Sequence, residues 1–301
     1  MYRIWTETLP SEELSSDAVL RLLKRYRLQP LVALPQERQT PAMLRAFQKL
    51  HAMQVPIGIW PLLDDEDGYW ASVTNAQKFA NRVWEALVYA KSADVPIATV
   101  AIDLEPSETL KRRLMRGTMS ARYTQLRKCD RAARTARGER EYREAVACYS
   151  ALSESLRGDG IESLAIAIPP VLLDVACKSV RWQKMFGVPV TEPRWATLSP
   201  MVYTSMLRSL LPRGLTGLGP VLLKKVCATM SRVNSDYSTC VSIGVVGKGE
   251  MKDEVCYSDI SELARDVATV KNAGIGDLAL FSLEGVLDRR YPEAWLEALV
   301  G

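Results

Sequence analysis

The sequence predicts a single (β/α)8 barrel over residues 1–301, and three observations point to it. Short β-rich apolar runs alternate with amphipathic helical stretches along the whole chain, eight such runs are present, and about 300 residues is the length eight β/α units require. An open doubly wound sheet is the alternative, but no Gly-rich phosphate fingerprint follows the first run.

In chain order the expected strands are residues 2–6, 29–34, 56–62, 97–104, 163–168, 196–203, 239–246 and 277–283. Their near-continuous apolar character suits parallel strands covered on both faces. Between them, residues 16–26, 41–53, 75–92 and 258–273 carry apolar positions at helical spacing, the last stretch stopping at Gly274 as a helix commonly does. One interval breaks the period: about 58 residues separate Glu105 from Ser163, roughly twice what a crossover needs. A helical hairpin inserted after the fourth strand, at about 107–158, accounts for the excess.

The first part of that insert, residues 111–137, holds ten lysines and arginines against Asp130 alone, a net +9. With 39 Lys+Arg against 35 Asp+Glu overall, the rest of the chain is left at −5. Such a segment either contacts an anionic partner or another subunit, or is a solvated helix face whose long side chains cover the barrel wall. Interleaved aromatics and nucleic-acid motifs are absent, so nucleic acid is not an expected partner.

Composition excludes several chemistries. With one histidine, His51, placed before the third strand, the chain cannot by itself build a site needing two or three imidazoles. The six cysteines are scattered without a C-x-x-C pair, which fits reduced, structural thiols. No cofactor and no metal centre is expected. The start of the chain lacks a secretory pattern and no apolar run approaches a bilayer span, so the reading is a cytoplasmic protein without a membrane partner.

In a barrel the site lies at the carboxyl ends of the strands. The third strand ends in Trp60 and runs into Asp64, Asp65, Glu66 and Asp67, followed by Tyr69 and Trp70. The aromatics are candidate platforms for sugar rings, and Asp64, Asp65 and Asp67 candidate acceptors for sugar hydroxyls. Carboxylates could also gather Ca2+ or Mg2+, but EF-hand spacing is absent. At the end of the fourth strand, Asp103 and Glu105 stand two residues apart and so share a face, with Ile102 and Leu104 on the other. Both carboxylates are expected to point into the barrel mouth, an arrangement that suits general-acid cleavage of a glycosidic bond. Glu284, after the eighth strand, is expected across the barrel from them as a second carboxylate, nucleophile or base.

The segments Ile102-Asp103-Leu104-Glu105-Pro106, Met201-Val202-Tyr203 and Ala279 to Gly285 together resemble family 18 glycoside hydrolases and related chitinase-like barrels. The resemblance implies that Glu105 protonates the leaving oxygen, that Asp103 and Tyr203 orient an acetamido group, and that Phe281 stands beneath the sugar where the family keeps Trp. Ala98 and Ala101 replace two further acids of that pattern, and Thr204 replaces its Asp or Asn. Two other readings remain: a barrel that binds carbohydrate without catalysis, and a sugar-phosphate lyase or isomerase using Gly247, Lys248 and Gly249 after the seventh strand as a phosphate loop.

Overall fold

A computed structural model describes residues 1–116, 118–210, 217–232, 237–247 and 255–301. Its strands are β1 (Tyr2–Thr6), β2 (Leu28–Leu34), β3 (Gly58–Pro61), β4 (Thr99–Leu104), β5 (Glu162–Ala167), β6 (Thr197–Pro200), β7 (Ser238–Thr239), β8 (Val241–Gly244) and β9 (Leu278–Phe281). All pair in parallel, in the order β7-β6-β5-β4-β3-β2-β1-β9-β8. β7 pairs with β6 and β8 with β9, on either side of Cys240, so the two short strands form one stave. A bridge between Met201 and Ser242 closes the ring, with the Val202 N–H donating to the Ser242 carbonyl at 2.8 Å. The result is a (β/α)8 barrel of eight staves, each overlapping a run read from the sequence.

Local chemistry sets the helix boundaries. Ser16 caps the helix Asp17–Arg25 by accepting from the Val19 N–H, and Thr40 caps Pro41–Ala52, where Pro41 fills the first turn at no hydrogen-bond cost. Asp259 caps Ile260–Asn272, which ends before Gly274 at φ +80°. The apolar faces of these helices pack on the outward strand residues, including Ile102 and Leu104, to form the outer core.

Inside the barrel the side chains lie in layers. At the amino-terminal end Arg3, 1% exposed, is bidentate to both Asp277 (3.0 and 2.7 Å) and Glu162 (2.8 and 2.9 Å), and donates to Gln29 at 3.1 Å. Glu162 also accepts from Thr99 at 2.8 Å and Thr197 at 2.5 Å. Above this polar plug sits an apolar layer containing Trp5, Leu31, Trp60, Ala101, Leu164 and Ala279.

The excess chain after β4 is smaller than the sequence reading put it. Helix Ala136–Gly158 is the ordinary crossover helix, burying Tyr142, Ala145, Tyr149, Leu152 and Leu156 against β5 and its neighbours. The insert proper is the helix pair Glu108–Arg116 and Met119–Ala133. It docks through Leu110, Leu114, Leu126 and Cys129.

His51 is exposed at the end of its helix, and all six cysteines are free thiols. Among the described residues no helix is long and apolar enough to cross a membrane.

Candidate active site

Period-2 geometry places Thr99 in the polar plug and Ala101 in the apolar layer, so Asp103 and Glu105 continue the inward face at the carboxyl end of β4. Both are 6% exposed. The loop after β3 returns here: the Ala71 N–H donates to the Asp103 carbonyl at 3.0 Å, and the Glu105 N–H to the Ala71 carbonyl at 3.2 Å. That zipper brings Trp70 beside Glu105. Lys111, one turn into the insert, completes the cluster. Its Nζ lies 2.6 Å from Glu105 Oε2 and 3.6 Å from the centroid of the Trp70 ring, a salt bridge and a cation–π contact made by one ammonium. The sequence allows a salt bridge from this pair to nearby arginines but does not single out Lys111, because its approach depends on how the insert docks.

The aromatic candidates divide. Trp60 is not a rim platform: it is buried in the apolar layer, edge-on to Trp5 at 5.0 Å between centroids, because its position in β3 faces the axis below the mouth. Trp70 and Tyr69 meet edge-on at 4.9 Å, and the Tyr69 hydroxyl donates to Glu7 Oε1 at 3.2 Å. Tyr203 and Phe281, from beyond β6 and the end of β9, face each other at 5.8 Å.

The acidic run turns outward. Asp64 and Asp65 are exposed; Asp67 is ion-paired with Lys78, and Asp64 lies 3.6 Å from Arg82, both cations on the helix Ala76–Lys91. Asn75 holds the loop by donating to the carbonyls of Asp67 (2.9 Å) and Trp70 (2.8 Å). Helix cations thus draw Asp64 and Asp67 away from the barrel axis to the surface. Among the described residues no group of three or more potential ligands gathers to hold a metal ion.

Glu284 also differs from its expected place. Its Oε1 accepts from the N–H groups of Glu7 and Thr8 at 2.7 and 2.9 Å, capping the loop after β1 rather than standing free across from Glu105. Its Oε2 is buried without a hydrogen-bond partner among the described residues. Beside it lies a cavity of about 360 Å3 bordered by Glu7, Thr8, Glu37, Arg38, Leu62 and Tyr69 among others. Arg38 donates to the carbonyls of Glu7 and of Leu9, the latter at 2.6 Å. Burial pulls its guanidinium below the ordinary arginine value against the opposing charges of Glu284, Glu7, Tyr69 and Glu37. Glu7 and Arg38 were missed by the sequence reading. Glu7 had a signal, since it directly follows the first strand, and the strand-end rule applies to it as to the others.

Thr204 faces away from the axis. Its hydroxyl donates to Asp266, which also accepts from the Tyr257 hydroxyl at 2.8 Å, and burial holds the Asp266 carboxyl above its ordinary value. Of the phosphate-loop residues, Lys248 and Gly249 lie outside the described residues.

No protein-family model and no curated protein sequence matches the chain. Solved structures do. The glycoside hydrolase domain of PgaB (BpsB) from Bordetella bronchiseptica superposes with a TM-score of 0.57 at 10% identity, covering 99% of this chain and 98% of that one. A class V chitinase from Pseudomonas fluorescens Pf-5 gives 0.57 at 12% identity, covering 99% and 98%. A chitinase from Chromobacterium violaceum gives 0.53 at 11%, covering 99% and 97%. Over nearly its whole length, the chain therefore has the barrel fold shared by chitinase and glycoside hydrolase domains.

Proposed function

We propose that the protein is a glycoside hydrolase acting on a carbohydrate, with Glu105 as the proton donor to the leaving glycosidic oxygen and Asp103 holding Glu105 and the sugar in register. One observation carries this reading: two nearly buried carboxylates on the inward face at the end of β4, in a fold shared with glycoside hydrolase domains. Trp70 offers the face on which a sugar stacks, and Tyr203 and Phe281, beyond β6 and at the end of β9, add a second aromatic pair.

In the structure Lys111 covers both Glu105 and the Trp70 ring. A carboxylate held by an ammonium is an acceptor, so proton donation requires Lys111 to withdraw, and the same movement uncovers the ring for the sugar. Substrate stacking and activation of the acid are thereby linked through one side chain. Glu284 is assigned to holding the β1 loop, and catalysis to the β4 pair.

The test is a thermal-shift screen of wild type and Glu105→Gln against neutral, N-acetylated and acidic oligosaccharides, with product analysis on every hit. The expected result is stabilisation of both proteins by one saccharide class, with product from wild type alone and turnover at least about 100-fold lower in Glu105→Gln. Unchanged turnover in Glu105→Gln would falsify the assignment. A second reading, a barrel that binds sugar without cleaving it, is favoured by the Glu105–Lys111 ion pair and by Ala98 and Ala101. It predicts stabilisation by saccharide and no product from wild type.

A further inference from the structure

The insert keeps packing and charge on separate faces. Along Met119–Ala133, Leu126 and Cys129 turn inward to the outer core, whereas Tyr123, Arg127, Arg131 and Arg134 follow one another at four-, four- and three-residue spacing on a face turned away from it. Tyr123 is 62% exposed, and the Arg127 guanidinium lies 5.8 Å from its ring centroid. Among the described residues no carboxylate pairs with Arg113, Arg127, Lys128 or Arg131. The only acid of the segment, Asp130, is occupied by Arg134 and Arg181, each at 3.1 Å. The first helix of the insert ends this charged surface at the mouth, where Lys111 sits on Glu105 and Trp70.

We infer that the insert binds a polyanionic polysaccharide, a chain of sugars bearing carboxylates, and holds it over the barrel mouth. The stripe from Tyr123 to Arg134 is about 16 Å long, enough to meet several successive sugars, and guanidinium groups pair with carboxylates in bidentate fashion. A nucleic acid fits less well, since Tyr123 is the one aromatic on the stripe and sequence-independent strand binders line their grooves with several. A second copy of the chain fits less well too, because two of the four acids of the 64–67 loop, Asp64 and Asp67, are already engaged by Arg82 and Lys78. The inference rests on the proposed hydrolase only for what happens to the glycan after it binds.

The experiment is native affinity electrophoresis of the full chain in gels containing polygalacturonate, dextran of similar length, or neither, with duplex DNA as a further ligand, at about 50 and about 200 mM salt. The expected result is retardation by polygalacturonate, none by dextran, weakening about tenfold at the higher salt because exposed pairs are screened. The charge reversal Arg127→Glu/Arg131→Glu, at solvent-exposed positions, is expected to weaken binding at least tenfold while leaving the melting temperature unchanged. Equal retardation of wild type and the double variant, preferential binding of DNA, or salt-reversible self-association without a polygalacturonate shift would each overturn the inference. Product assays on the same polymer separate it from the hydrolase reading. Polygalacturonate bound, with no product from any saccharide of the hydrolase screen, removes the hydrolase and keeps this surface, and cleavage of a neutral glycan without polygalacturonate binding does the reverse.

Discussion

Lys111 is the side chain on which the chemistry at Glu105 turns. Its ammonium satisfies a carboxylate whose side chain alone is only 8% exposed, and the same ammonium lies over the Trp70 ring. Removing the cation by Lys111→Met leaves Glu105 buried without its ion-pair partner, so unfolding in urea is expected at lower concentration, a loss of about 1–3 kcal/mol. Adding Glu105→Gln to that variant should recover part of the loss, because a neutral amide no longer needs the ammonium. Equal midpoints for wild type and Lys111→Met would mean the pair is energetically silent. The carboxylates themselves were legible: spacing of two on a strand fixes a shared face whatever the rest of the fold does. Lys111 was one of ten similar cations, and only docking of its helix distinguishes it from the others. Trp60 shows the converse error, since an aromatic near a strand end reads the same in sequence whether it lies one layer above or below the rim.

At the level of elements, the ends of β8 and β9 meet through glycines. A Cβ on Gly285 would lie 1.7 Å from the Val246 carbonyl oxygen, and one on Gly247, at φ +77°, would lie 2.3 Å from the Gly285 Cα. Gly285→Ala is therefore expected to lower stability by about 2 kcal/mol or more. The control Gly276→Ala, where a Cβ meets nothing within 4 Å, should stay within about 0.5 kcal/mol. Urea midpoints of the two variants decide the matter, and near-equal values would mean the two loops can separate without cost. Helix starts were legible from caps such as Ser16 and Thr40, whose side chains act within one turn. The extent of the insert was not, because Ala136–Gly158 resembles its neighbours in sequence and differs only in packing on β5.

Across the whole molecule, Arg3 joins β1 to β2, β5 and the residue preceding β9 through Gln29, Glu162 and Asp277, and the hydroxyls of Thr99 and Thr197 bring in β4 and β6. Arg3→Met strands two carboxylates in the barrel floor, with an expected cost of about 3–5 kcal/mol. Burial pushes Glu162 up, but hydrogen bonds and charge from Arg3, with the hydroxyls of Thr197 and Thr99, outweigh it and hold the carboxyl below its ordinary 4.5. A lowered acid contributes stability that is complete above the ordinary value and is lost as pH falls through the folded one. The stability difference between wild type and Glu162→Gln should thus be full near pH 7 and shrink below about pH 4.5, as read from urea midpoints at several pH values. A difference independent of pH would show that Glu162 does not titrate with folding.

The sequence by itself determined the barrel and the inward pair on β4, because hydrophobic period and strand alternation are local consequences of backbone geometry. It also exposed the charge imbalance of the insert, which is a matter of counting. Only the tertiary structure decided that Lys111 caps Glu105, that Glu284 holds the β1 loop, that the acids after β3 turn outward to Lys78 and Arg82, and that Arg3 plugs the floor. Those are pairings between groups free to choose among several partners, and the choice is made when closure of the ring brings one partner within hydrogen-bond distance and carries the others away.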